Sequence, residues 1–508
     1  NIFDRTHLGW NNMEITSLSY LVFICIGIVV FYVWPIRSRW IWLLLLSLFF
    51  VFSSSPFGIV FILLSSIIVF ITAKAIPSAK RKRTLLVATI TACLAILIIL
   101  KYLVKLNFFA AHTLSLFGTT QTIRSIVETY LFPIGISYYT LQLISYLLDV
   151  YWGRQKAESN YLKVLLFTCY FPQMVQGPIS KYSELAPELF RSHTFSWRNI
   201  KNGSQLILWG LFKKMLVADR IGVQVSWIFR ADHTPYGAEA WLGLVFFGIQ
   251  LYCDFSGGID LIRGVSACLD IQMKENFRQP FFALSLSDFW RRWHISLGQW
   301  MKEYIFYPVS MSKGMQQWKR HLKKHISRKA ATRCSMAVAY FIVFLLVGVW
   351  HGTQFNYFAW GLYNGIILSV SALLTDTYNR WKMKLGIQPN SKGWNGFCIF
   401  RTYIIVTIGW IFDCSTTIKE AGALFAHLFV PDFTEFGAAL ISGNTLIACG
   451  FGLFVLVVDI LHEKHISVRQ LLSKQNYGLQ VAFWLIVIQC IACFGQVANA
   501  GGFMYANF

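Results

Sequence analysis

Uninterrupted apolar segments recur along the whole chain, and they constrain its fold more than any other feature. Segments 18–34, 41–52 joined to 57–73, 84–104, 204–218, 241–252, 335–350, 357–374, 402–412, 444–460 and 480–496 each read as a membrane crossing or part of one. A helix needs about 20 apolar residues to cross about 30 Å of hydrocarbon. The runs are continuously apolar rather than alternating, which favours helices over a closed β-barrel. Only 13% of the 508 residues are charged and 56% are hydrophobic, where a soluble chain carries roughly a quarter of its residues as charges. The expected class is an all-α polytopic membrane protein with about ten or more spanning helices.

The formal charge of +22 is carried largely by short loops such as "AKRKR" (79–83) and "KGMQQWKRHLKKHISRKAATR" (313–333). Lys- and Arg-rich loops of this kind face the cytoplasm and its anionic lipids. That places the chain as a multi-pass membrane protein, with the lipid bilayer as its first partner. No aromatic-studded basic groove points to nucleic acid. The eleven cysteines lie mostly inside apolar segments, without the spacing of a disulfide framework. Residues 1–12 read as an expression or processing remnant ahead of a start at Met13, and residues 13–508 as a single transmembrane domain.

Within that domain, residues 128–376 are apolar yet dense in Pro, Gly, Tyr, Trp, His, Asp and Arg. Polar groups at membrane depth cost a few kcal/mol each and face a cavity or a partner. Glycine and proline there point to broken or re-entrant helices, tolerated where protein or water covers the freed backbone. This stretch is the expected catalytic core. The absence of a visible internal repeat argues against a transporter built from duplicated halves.

The ionisable residue that most needs a reason is His351, in "GVWHG" at the end of "YFIVFLLVGVWHG". A buried neutral imidazole, with an ordinary pKa near 6.5, is suited to take a proton from a hydroxyl. Trp350 would wall such a pocket, and Gly352 lets another backbone or a ligand come close. His294 sits in "DFWRRWHISLGQW", too charged for a simple span, and fits an amphipathic or re-entrant helix at the cytoplasmic interface. It would orient a donor or acceptor, or hydrogen-bond a carbonyl as charge develops. Beside it, Trp293, Arg291, Arg292 and Lys302 are candidates for substrate binding; the cations suit phosphates or lipid headgroups equally.

Asp254 in "YCDFSGG", with Asp260 and Arg263 nearby, reads as an intramembrane ion pair or a substrate contact. Tyr138 and Gln142 are candidates for lining a cavity, and Gly177–Pro178 for shaping a re-entrant turn. His321 with His325, and "HEKH" at 462–465, lack the surroundings or spacing of a metal site, so no metal and no tightly bound cofactor are expected.

Six segments carry a family likeness in order: "FPIGISYYTLQLISYLLDVY" (132–151), "FPQMVQGPISKY" (171–182), "GLFKKMLVADR" (210–220), "QLYCDFSGGIDLIRG" (250–264), "DFWRRWHISLGQWMKEYIFYP" (288–308) and "GVWHGTQFNYFAWGLYNG" (348–365). Together they resemble the membrane-bound O-acyltransferase (MBOAT) family, in its bacterial branch of alginate O-acetyltransferase membrane components and, less closely, teichoic-acid D-alanyl transfer proteins. The resemblance implies a bundle of about 10–13 membrane helices around a central tunnel, with His351 the catalytic histidine and His294 the second histidine. It implies acyl transfer from acetyl-CoA or a phosphopantetheine thioester on a carrier protein to an extracellular polysaccharide, helped by an SGNH-like partner outside the membrane. Where relatives continue "YIP" with a glycine-rich stretch, this chain reads "YPVSMSKGMQQWKRHLKKH". D-alanyl transfer to teichoic acid and a non-enzymatic polysaccharide or lipid transporter are the alternatives.

Overall fold

The computed structural model describes residues 16–103, 134–230, 233–352, 354–389, 391–440 and 443–496. Residues 1–12, and the start of the motif-rich stretch at 128–133, lie outside the described residues. Every regular element is helical, and no strand occurs among the described residues. Among the described residues, eight helices are long and apolar enough to cross a membrane, or nine when the bent pair Phe355–Leu373 and Thr375–Lys384 counts as one, and Leu18–Val33 adds a shorter apolar helix. The expected class, an all-α polytopic membrane protein, is the one observed.

Two of the expected crossings are built differently. Residues 41–73 form two helices, Arg39–Ser54 and Gly58–Ala75, not one joined span. Pro56 follows the first helix, and a proline crowds the residue before it out of the helical region; Ser55 is accordingly extended, at φ −154° and ψ 88°. Residues 204–218 are not a simple crossing either. An α-helix, Trp197–Leu211, passes into a π-helical turn, Phe212–Ala218, and then into Asp219–Ile228. Lys213, Lys214 and Asp219 in this stretch are all buried, which hydropathy alone does not anticipate.

The described residues group into two compact units. The first runs to Leu211 and includes Gly257–Lys274. At its centre lies Ile136–Tyr151, with fourteen of sixteen residues buried, the polar Ser137, Thr140, Gln142, Ser145 and Asp149 among them. Helices Arg39–Ser54, Gly58–Ala75 and Lys82–Ile98 bury one side each and leave Leu45, Phe49, Ile71 and Val87 exposed, the pattern of helices whose outer faces meet lipid. Trp197–Leu211 crosses the end of the long helix Gly237–Cys268 where two glycines meet. A Cβ on Gly203 would stand 2.5 Å from the Gly264 carbonyl oxygen, so the close approach requires small residues on both sides.

The second unit comprises Phe212–Ser256 and Glu275–Gln496. Its centre is a helical hairpin, Arg328–His351 followed by Phe355–Leu373. Ser327 opens the first helix by accepting a hydrogen bond from the Ala330 amide. The two helices touch through Gly348 and Gly361. A Cβ on Gly361 would meet the Phe344 carbonyl oxygen at 2.6 Å, and one on Gly348 would meet Gly361 Cα at 3.1 Å. Short helices Leu286–Arg292 and Ile295–Met301, with a π turn over Lys302–Phe306, replace a continuous crossing before the hairpin. Breaks of this kind recur at functional positions because they turn side chains inward.

Candidate active site

His351 is the last residue of the first hairpin helix. Three aromatic rings surround its imidazole: Trp350 at 5.0 Å between centroids, Trp360 at 5.3 Å edge-on, and Tyr357 stacked at 6.3 Å with 24° between planes. The side chain is 9% exposed. Gly352 makes the enclosure possible. A Cβ there would stand 2.3 Å from the Tyr357 ring, so a larger residue would drive the ring away from the imidazole. The second helix is pinned at its start by Asn356, whose Nδ2 donates to the Ser415 carbonyl at 2.7 Å.

His294 lies at the joint between Leu286–Arg292 and Ile295–Met301 with left-handed backbone angles, φ 47° and ψ 54°. A non-glycine residue there costs roughly 1–3 kcal/mol and must be held by its surroundings. Asn276 does the holding: its carbonyl accepts from the Ile295 amide at 3.0 Å, and its Oδ1 accepts from the Ser296 amide at 2.8 Å. Its Nδ2 stands 3.3 Å from His294 Nδ1. The Phe255 ring meets the imidazole edge-on at 4.8 Å. His294 is therefore fully enclosed, not spread on an amphipathic surface, and that burial pushes its pKa from the usual 6.5 down to about 3.

An unbroken series of aromatic contacts joins the two histidines. From His351 it passes to Trp360, then Trp290 at 5.4 Å, Phe289 at 5.1 Å and Trp293 at 5.4 Å. From Trp293 it continues through Phe277 at 5.1 Å and Phe255 at 4.9 Å to His294. Trp290 is fixed by donating from Nε1 to Asn364 Oδ1 at 3.2 Å, while Asn364 Nδ2 donates to the Trp360 carbonyl. Apolar walls of this kind disfavour a charged imidazole at His294.

The expected charged contacts are distributed unevenly. Arg292 is committed to two carboxylates, Asp288 at 3.1 Å and Glu463 at 2.7 Å. Arg291 is 70% exposed, with a loose 3.4 Å pair to Asp288, and Lys302 is exposed with its ammonium 5.7 Å from the Tyr307 ring. Asp254, 1% exposed, pairs with Lys214 at 2.6 Å; Lys214 in turn reaches Asp219 at 2.7 Å. Burial opposes the Lys214 charge, but Asp254 and then Asp219 outweigh it and raise its pKa. Arg263 instead pairs with Asp260, three residues earlier on the same helix.

The structure thus brings Trp293, His294, Trp350 and His351 into one aromatic series within the second unit. Tyr138 and Gln142 belong to the first unit, both buried on Ile136–Tyr151, with Gln142 Nε2 donating to the Ser180 carbonyl at 3.4 Å. Sequence reasoning passes over Asn276, Tyr357, Trp360 and Lys214. Tyr357 and Trp360 lie three residues apart in "QFNYFAW", the one local signal that both face the same side of a helix.

A family model for "MBOAT, membrane-bound O-acyltransferase family" matches residues 89–417, which include both histidines. The chain is 30% identical to the probable alginate O-acetylase AlgI of Pseudomonas syringae pv. tomato over 334 residues, covering 66% of this chain and 58% of that protein. It is 28% identical to a peptidoglycan O-acetyltransferase of Helicobacter pylori over 318 residues, 57% of this chain and 55% of that protein. It is 26% identical to the teichoic acid D-alanyltransferase of Bacillus subtilis over 300 residues, 58% of this chain and 70% of that protein. The chain spans less than two thirds of the length of the first two relatives. With the family model covering well over half of its length, the chain belongs to the membrane-bound O-acyltransferase family.

Proposed function

We propose that this protein is an O-acyltransferase of the bacterial inner membrane that takes an acetyl group from a cytoplasmic thioester and delivers it for O-acylation of an extracellular polysaccharide. The observation that carries the reading is the enclosed imidazole of His351 at the helix end, within the segment matched to the family. Neutral His351 takes the proton of the accepting hydroxyl as its oxygen bonds to the thioester carbonyl carbon. The tetrahedral intermediate then expels the thiolate, and the imidazolium returns the proton to sulfur. Trp350, Tyr357 and Trp360 hold the ring and exclude water, so the acyl group is not lost to hydrolysis. His294 assists, and exposed Arg291 and Lys302 offer cations to the phosphates of acetyl-CoA or of a phosphopantetheine arm. An SGNH-like partner outside the membrane would pass the group on to the polymer.

The names of two relatives, an alginate O-acetylase and a peptidoglycan O-acetyltransferase, favour acetyl as the group moved. The teichoic acid D-alanyltransferase keeps D-alanyl transfer from a carrier protein as the second reading. The test is transfer or hydrolysis of radiolabelled acetyl-CoA by purified protein in liposomes, with His351→Ala and His294→Ala alongside. Wild-type activity that collapses in His351→Ala by about 10²–10⁴-fold supports the reading. Activity indifferent to both substitutions overturns it, and activity with an aminoacyl carrier protein alone favours the D-alanyl reading.

A further inference from the structure

Three hydrogen bonds from one side chain and its carbonyl close on the turn that carries His294. Asn276 is 1% exposed. Its carbonyl accepts from the Ile295 amide at 3.0 Å, its Oδ1 accepts from the Ser296 amide at 2.8 Å, and its Nδ2 faces His294 Nδ1 at 3.3 Å.

These contacts leave no freedom in the assignment of atoms. A backbone N–H only donates, so the atom that meets the Ser296 amide is the amide oxygen of Asn276. The atom that meets His294 Nδ1 is then the amide nitrogen, which also only donates. Nδ1 must therefore present its lone pair, and the single proton of the neutral ring sits on Nε2. Protonating Nδ1 would set an N–H against an N–H, beside the uncharged Phe255 ring that meets the imidazole edge-on. The same clamp holds the left-handed backbone of His294, so ring orientation and tautomer are fixed together.

We propose that Asn276 is a positioning residue that locks His294 as its Nε2–H tautomer, making this histidine a hydrogen-bond donor and not a second base. The proposal rests on the acyl-transfer reading above and divides the labour between the two histidines. His351 removes the hydroxyl proton; the carbonyl π pair moves onto oxygen as the new C–O bond forms; His294 Nε2–H donates to that oxyanion until the C–S bond breaks. His294 neither gains nor loses a proton over the cycle.

The test is magic-angle-spinning NMR of full-length protein in bilayers, labelled with ¹⁵N-histidine. His294→Gln identifies the His294 signals by difference. The expected result is a lone-pair-type Nδ1 and a protonated Nε2 in the wild type; a protonated Nδ1 overturns the proposal. In Asn276→Asp the carboxylate still accepts from the Ser296 amide but has no proton to give, so Nδ1 must acquire one. The same protein assayed for acyl transfer should lose about 100-fold in kcat with KM changed by less than about threefold. An unaltered His294 signal in Asn276→Asp, or a reversed tautomer with full activity, also overturns the proposal. The spectrum decides the tautomer even if no thioester is turned over, so failure of the acyl-transfer reading is distinguishable. Should Asn276→Asp not fold, the wild-type and His294→Gln spectra decide alone.

Discussion

Tyr357 lies against Gly352 so closely that a Cβ on the glycine would stand 2.3 Å from the tyrosine ring, and the same ring stacks on His351. The glycine is needed for space: its φ of −174° is open to any residue. Gly352→Ala should therefore shift Tyr357 and tilt the His351 ring without unfolding the hairpin. A displacement of about 1 Å in a reacting group is enough for a loss of about 100-fold. Acyl-transfer assays should show that loss in kcat, while thermal unfolding in detergent stays close to wild type. An active Gly352→Ala enzyme would mean that Tyr357 does not hold the ring.

The burial of His294 predicts the pH dependence of stability. Its pKa falls to about 3 in the folded state, against about 6.5 unfolded. Between those values the unfolded chain binds a proton that the folded one refuses, so stability is complete above about pH 6.5 and declines as pH falls towards 3. His294→Gln removes this group. Its melting temperature should fall less than that of wild type between pH 7 and pH 4, and parallel curves for the two proteins would refute the buried neutral imidazole.

The membrane crossings are legible in sequence because hydrocarbon demands long apolar helices, and nothing else in a chain produces them so regularly. Their breaks are less legible. Hydropathy runs through residues 41–73, yet Pro56 divides them. His351 stands out because an ionisable group is costly in an apolar segment, and His294 because its charged, aromatic segment is no simple span. Their surroundings do not, since Asn276 lies eighteen residues before His294, and Trp290 reaches Trp360 from a different helix. Asp254 shows the same limit. Local spacing suggests Arg263, but the cation that meets it is Lys214, forty residues earlier on a π turn.

That pairing carries the next prediction. Lys214 pairs with both Asp254 and Asp219 in a buried cluster. Lys214→Met removes the cation that both carboxylates share away from water, and loss of one partner from a buried pair costs about 3–5 kcal/mol. The variant should melt well below wild type or fail to purify as a monodisperse protein. Adding Asp254→Asn removes one of the buried negative charges and should restore part of the loss. A Lys214→Met protein as stable as wild type would show that the cluster contributes nothing net.

Arg291 and Arg292 are adjacent in sequence yet differently placed, and the difference separates binding from stability. Arg292 reaches Asp288 and Glu463 and is mostly covered, so it joins Leu286–Arg292 to the helix Gly443–Glu463. Arg292→Ala should lower the melting temperature, because Glu463 loses a charge-assisted partner. Arg291 is 70% exposed and only loosely paired, so Arg291→Ala should change stability by less than about 0.5 kcal/mol. If the exposed cations meet the donor's phosphates, Arg291→Ala combined with Lys302→Ala should raise KM for acetyl-CoA several-fold at unchanged kcat. The increase should shrink at high salt, where exposed charges are screened within about 10 Å or less. A KM indifferent to both substitutions would assign these cations to lipid headgroups, leaving donor recognition to other residues.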